Sequence, residues 1–296
     1  MPTLLDFRRR IRSVKNSQQI TRAMKFVAAA RLRRAQEAAL AARPYAQELA
    51  RVLRSTMARI QEPEHPLLER REEKMVLTIV LAGERGLAGA FNANILRKAT
   101  EFFRANREKK VLTIPVGKKG RDALKKAGFT FAGEWVNVLA RVEFKTAREI
   151  AKLATDLYAE RKVDSVYIIF SEFKSVMAPN LTVEKLLPVE AIREEKDSNK
   201  DKESGKNAEV QVDYIYEQPE AQLLDKLLPR YVETQILRAM LESSASEYAA
   251  RMTAMESATK NAGDVIEALT LHMNKVRQAA ITKEIIEIVS GAAYGA

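Results

Sequence analysis

The sequence predicts an α/β centre with a mixed sheet, set between two long terminal helices that pair as an antiparallel coiled coil. Three observations carry this prediction. Apolar positions near both ends step alternately by three and four residues over many turns. The middle of the chain instead alternates short apolar runs with helical patterns and Gly or Pro punctuation. The C-terminal heptad also fails close to the point where an antiparallel N-terminal partner would run out.

The N-terminal helix is predicted from about Leu4 to Ala58. Its seam is Leu4, Phe7, Ile11, Val14, Gln18, Thr21, Lys25, Ala28, Leu32, Ala35, Ala39, Ala42, Ala46, Leu49 and Leu53, one register throughout. Gln18, Thr21 and Lys25 put polar groups on that seam, and the alanines allow a close helix neighbour. Pro44, lacking an N–H, should bend the helix or break one turn.

The C-terminal helix is predicted from about Gln222 to Ala293, with Gly263 inside it. Met252, Met255, Thr259, Ala262, Ile266, Leu269, Met273, Val276 and Ala280 form its seam. Lys283 and Glu287 then fall on seam positions, and the apolar residues move round to Ile281, Ile285 and Ile288. Pairing Ala58 with Gln222 antiparallel puts Leu4 opposite about position 276, so the seam ends where the partner ends. The tip IVSGAAYGA carries no charged side chain and suits either a snug socket or a frayed terminus.

Between the helices, Pro63, Pro66 and the run ERREEK form a linker. MVLTIVLAG is a continuous apolar run ending at Gly83, as a parallel strand buried on both faces requires. A helix over Asn94–Arg107, the strand VLTIPVG and a helix over Lys118–Ala127 follow. Next come a helix over Phe144–Arg161 and the strand DSVYIIFSEF. The strand at Leu181–Val189 follows too closely for a helical crossover and must pair antiparallel. Residues 193–209 are a charged low-complexity loop, and VQVDYIY resumes strand alternation. The division is 1–60, 61–219 and 220–296.

The net charge is +11. Residues 1–60 hold 14 Lys and Arg against Asp6, Glu37 and Glu48, and the other 36 basic and 36 acidic residues cancel. An anionic partner is therefore expected at the N-terminal segment: nucleic acid, lipid or an acidic protein surface. With no cysteine, disulfides, thiolate metal sites and thiol redox chemistry are excluded. No uncharged run approaches the ~20 residues that span a bilayer, and MPTLLDFRRR lacks an apolar signal core.

Catalytic chemistry finds little support. GERGLAGAFN (Gly83, Gly86, Gly89) sits between strand and helix, where phosphates often bind, but it matches neither dinucleotide nor P-loop spacing. The competing reading is a tight turn with close strand–helix packing. His65 and His272 are the only histidines, one in the linker and one beside a helix seam. A Ser-His-Asp set or a histidine metal site therefore has no basis.

Three segments, DFRRRIRSVKNSQQITRAMKFVAAARLRRAQ, ERGLAGAFN and VRQAAITKEIIEIVSGAA, together resemble the γ subunit of F-type ATP synthases of the bacterial type. DYIYEQPEAQLLDKLLPRYVETQI is a fourth match. The resemblance implies a three-layer Rossmann-like centre and a non-catalytic rotor coupling ion flow to ATP synthesis, with no cofactor or metal. Its implied partners are three α and three β subunits, the ε subunit and the membrane c-ring. It implies neither nucleic acid nor direct membrane insertion, and a peripheral place on the cytoplasmic face of the plasma membrane.

Met24, Lys25, Arg251, Arg277, Gln278 and Thr282 match family positions that meet the β subunit. Tyr214 and Glu217 match the foot near the c-ring and ε. The middle motif departs from the family pattern, with Gly83-Glu84 for Ser-Asp and Ala88 for a frequent Cys. The regulatory cysteine insert of the chloroplast type is missing. The alternative is a basic coiled-coil nucleic-acid-binding or scaffold protein, since RRRIRSVKNSQQ looks like a phosphate-binding arm. Against it, the helix keeps a packed seam and lacks interleaved aromatics.

Overall fold

The computed structural model describes residues 3–59, 65–175, 179–189 and 220–294. Its elements are α1 (Leu4–Arg59), β1 (Met75–Leu81), α2 (Phe91–Ala105), β2 (Lys110–Val116), α3 (Lys118–Lys126), β3 (Thr130–Phe131), α4 (Phe144–Ala159), β4 (Ser165–Phe173), β5 (Pro179–Leu187) and α5 (Glu220–Tyr294). The two-residue β3 has no periodicity by which a sequence pattern could reveal it. The expected strand VQVDYIY, at 210–216, lies outside the described residues. Pro44 does not break α1, which stays helical to Arg59.

Two compact units emerge. One comprises residues 1–31, 87–89 and 248–296; the other comprises 32–86 and 90–247.

The second unit is built on a sheet of order β3-β2-β1-β4-β5. β1 pairs parallel with β2 and β4, β2 parallel with β3, and β5 antiparallel with β4. The short β4–β5 connection permits only the antiparallel pairing. Val76 to Leu81 are all buried, as a central strand covered on both faces must be.

Alternate side chains of β1 serve the two faces. Leu77, Ile79 and Leu81 join one core with Ile150, Ala154 and Tyr158 of α4 and Leu224, Leu228 and Val232 of α5. Phe91, Ile95, Ala99 and Phe103, spaced by four along α2, are its buried stripe and cover the opposite face. Helices on both faces of a mixed sheet make the three expected layers. Strand order reverses between β1 and β4, the place where Rossmann-like sheets open a ligand crevice.

Within this unit, residues 239–247 of α5 are buried on every side. Small residues make that enclosure possible, and two of the three serine hydroxyls find carbonyls: Ser244 donates to Leu139 O (3.0 Å) and Ser246 to Ser171 O (3.2 Å), while Ser243 Oγ has no partner among the described residues. Glu242 is also enclosed, 5% exposed. Burial pushes its carboxyl pKa up against the opposing pull of Arg238.

The first unit is dominated by the start of α1 and the later part of α5. Phe7 stacks on His272 (ring centroids 5.0 Å apart), Gln18 Nε2 donates to Thr259 O (3.3 Å), and Lys25 Nζ meets Glu256 Oε1 (2.7 Å). Positions rising along α1 meet positions falling along α5, so the pairing is antiparallel.

Candidate partner-contact surface

The seam residues expected on α1 within this unit, Leu4 to Ala28, are all half-buried or buried. Those expected on α5, Met252 to Ala280, are likewise never exposed. From Ile281 to Ser290 every residue is exposed. The heptad therefore ends where side chains stop being covered by this chain.

The polar stretch of the seam is satisfied internally. Thr21 Oγ1 lies 2.8 Å from Thr259 Oγ1, and each hydroxyl also reaches a carbonyl on its own helix, Gln18 O at 3.0 Å and Met255 O at 2.7 Å. Gly263 sits opposite Gln18: a Cβ there would come 3.2 Å from Gln18 Nε2. This close approach accounts for a glycine inside a helix, where it costs about 1 kcal/mol relative to Ala.

Met24 is half-buried beside this layer. Lys25 has an intramolecular partner in Glu256, a residue its own sequence context did not flag. Both side chains keep contact with solvent (33% and 59% exposed), so the pair contributes little to stability. The Arg251 guanidinium lies over the Tyr248 ring at 5.7 Å, and that of Arg31 over the same ring at 5.9 Å. Arg277, Gln278 and Thr282 are exposed. Lys283 pairs with Glu287 one turn on (3.6 Å). Ile281, Ile285, Ile286, Ile288 and Val289 expose apolar surface alongside them. Tyr214 and Glu217 lie outside the described residues.

The glycine cluster after β1 behaves as a tight turn. Gly89 takes φ +55°, and Leu87 takes φ +63°. Gly83 donates its N–H to Asn92 Oδ1 (2.8 Å), and a Cβ on it would strike Asn92 and the Glu247 carboxyl, each at 2.9 Å. At the neighbouring strand end, Glu84 accepts from Lys118 N at the start of α3 (3.0 Å), from Val138 N (3.0 Å) and from Leu139 N (3.4 Å). A phosphate held by the loop after β1 would lie at the N-terminus of α2, whereas Glu84 occupies that of α3. At the turn itself the Glu247 carboxyl packs against Gly83, which suits a packed turn rather than a nucleotide cradle.

The family model for ATP synthase matches residues 3–293. The ATP synthase gamma chain of Solibacter usitatus is 48% identical over 297 residues, covering 99% of each chain. That of Pelotomaculum thermopropionicum is 45% identical over 99% of each. That of Chlorobium limicola is 46% identical over 99% of this chain and 98% of its own.

Among solved structures, the rotor of Euglena gracilis mitochondrial ATP synthase superposes with a TM-score of 0.64 at 20% identity, over 94% of this chain and 98% of that one. The Tetrahymena thermophila mitochondrial central stalk and c-ring structure gives 0.60 at 23% identity, over 81% and 99%. At these identities the structural likeness supports the fold. Nothing in the comparisons supports the nucleic-acid-binding or scaffold alternative. The chain belongs to the family of ATP synthase gamma chains, the central-stalk rotor subunits of F-type ATP synthases.

Proposed function

We propose that this chain transmits torque between a membrane c-ring and a ring of three α and three β subunits, holds no catalytic site of its own, and meets ε at its foot. The observation carrying this reading is the uncovered stretch 281–290, where five large apolar side chains lie exposed on a helix that has outrun its partner. Exposed apolar surface of that kind marks a protein contact.

In this reading residues 1–60 and 220–296 form the shaft and 61–219 the body that stands on the c-ring. Met24, Lys25, Arg251, Arg277, Gln278 and Thr282 face β, and Tyr214 and Glu217 face the c-ring and ε. The chain is peripheral on the cytoplasmic face of the membrane. Among the described residues, no helix is long and apolar enough to cross a membrane. The motion of Glu256 away from Lys25 would free a cation for an acidic β surface.

The test is a coupling assay on the assembled enzyme in vesicles. Replacing Gln278 and Thr282 with Ala should lower ATP-driven ion pumping more than ATP hydrolysis, with the unfolding of the isolated chain unchanged. Nucleotide turnover by the purified chain alone would contradict the non-catalytic assignment.

A further inference from the structure

A cleft of about 340 Å³ opens beside the C-terminal end of α2, with Phe103, Val111 and Phe129 on its floor. The two rings pack at 4.5 Å between centroids, tilted by 44°. Phe103 is buried, while Phe129 and Val111 keep part of their surface open to the cleft. On the rim stand Arg104, Arg107 and Lys109. Lys109 is committed to Glu73 at 2.7 Å. Arg104 and Arg107 are exposed, and neither has an ion-pair partner among the described residues.

We propose that this cleft docks an acidic segment of a partner protein, with one apolar side chain of that segment seated against Phe103 and Phe129 and its flanking carboxylates on Arg104 and Arg107. Charge selects the partner's sign, because a guanidinium fork matches a carboxylate in two parallel hydrogen bonds. Geometry favours a protein over a free small anion. The cleft is at the small end of the ~300–1,000 Å³ range of ligand sites and is open, so a lone molecule would remain largely in water. An aromatic floor rimmed by arginine is instead the composition of an interface anchor point.

The test uses the full chain and a rhodamine-labelled peptide of four glutamates around a Leu-Phe pair, read by fluorescence anisotropy. Saturable binding is expected. It should weaken by about tenfold or more in an Arg104→Glu, Arg107→Glu chain, and in a Val111→Trp chain whose floor is filled. A peptide with Ser-Ser in place of Leu-Phe should bind the unaltered chain about tenfold more weakly. Both arginines are exposed, so the altered chain should keep its circular dichroism.

Equal binding to the Arg104→Glu, Arg107→Glu chain would overturn the proposal, because the peptide would then be held by general positive charge elsewhere. Absence of binding to the unaltered chain would also overturn it. So would arginine-dependent binding of phosphatidylglycerol vesicles in place of the peptide, which would reassign the cleft to lipid.

Discussion

The Thr21 hydroxyl lies 2.8 Å from the Thr259 hydroxyl across the helix pair, in the middle of a seam that is otherwise largely apolar. Each also lies within reach of a carbonyl one turn back on its own helix. With two hydroxyl protons for three contacts, one hydroxyl donates across the seam while the other donates to its own carbonyl, so neither depends wholly on the other. A double-mutant cycle with Thr21→Val and Thr259→Val should give a coupling of about 0.5–1.5 kcal/mol in thermal unfolding, the usual range for one hydrogen bond. A coupling near zero would mean that the contact fixes register without adding stability.

Gly263 and Gln18 oppose each other energetically. Gly263→Ala should gain about 1 kcal/mol of helix propensity but displace the Gln18 amide from Thr259 O, so the two effects nearly cancel. In a Gln18→Ala background only the gain remains. Unfolding midpoints of the four chains check this sign pattern.

The register was legible in the residues themselves. With Leu4 placed opposite about 276, counting along both helices sets Thr21 opposite 259 and Lys25 opposite about 255. Thr259 and Glu256 occupy those places. The Lys25 partner was missed because Glu256 flanks the seam instead of lying on it. The central strands were equally readable, since the near-continuous apolar run Val76–Leu81 is the pattern of a strand covered on both faces, as parallel sheets are.

Glu84 and Glu247 were not legible. Their roles depend on which strand ends and helices the topology brings together across 34 and more residues of chain, and no local spacing encodes that. β3, with two residues, had too little pattern to read.

Truncation separates seam from tip. Ending the chain after Ala280 should leave its unfolding within about 0.5 kcal/mol of the full chain, because 281–290 are exposed. Ile266→Ala, which removes half-buried seam surface, should cost about 1–2 kcal/mol. Urea unfolding followed by circular dichroism distinguishes them, and equal losses would refute the end of pairing near Ala280.

Glu73 ties the linker before β1 to the sheet. It accepts from Lys109 (2.7 Å), Tyr167 (3.0 Å) and Lys185 (3.0 Å). Burial alone would raise its pKa, but these three donors outweigh it and hold the value at about 2. A carboxylate depressed in the fold contributes stability that is complete above its unfolded pKa near 4.5. That contribution should drain away as pH falls from there towards 2. Glu73→Gln should therefore flatten stability against pH between about 4.5 and 2, as acid titration of the unfolding midpoint would reveal.

Rotation is the central claim, and it can be watched directly. The chain has no cysteine, so Lys125→Cys on the exposed side of α3 gives one unique attachment point for a bead. With the assembled α and β ring fixed to a surface, ATP should drive the bead round continuously in one direction. An assembly that hydrolyses ATP while the bead only jitters about a fixed angle would contradict the account.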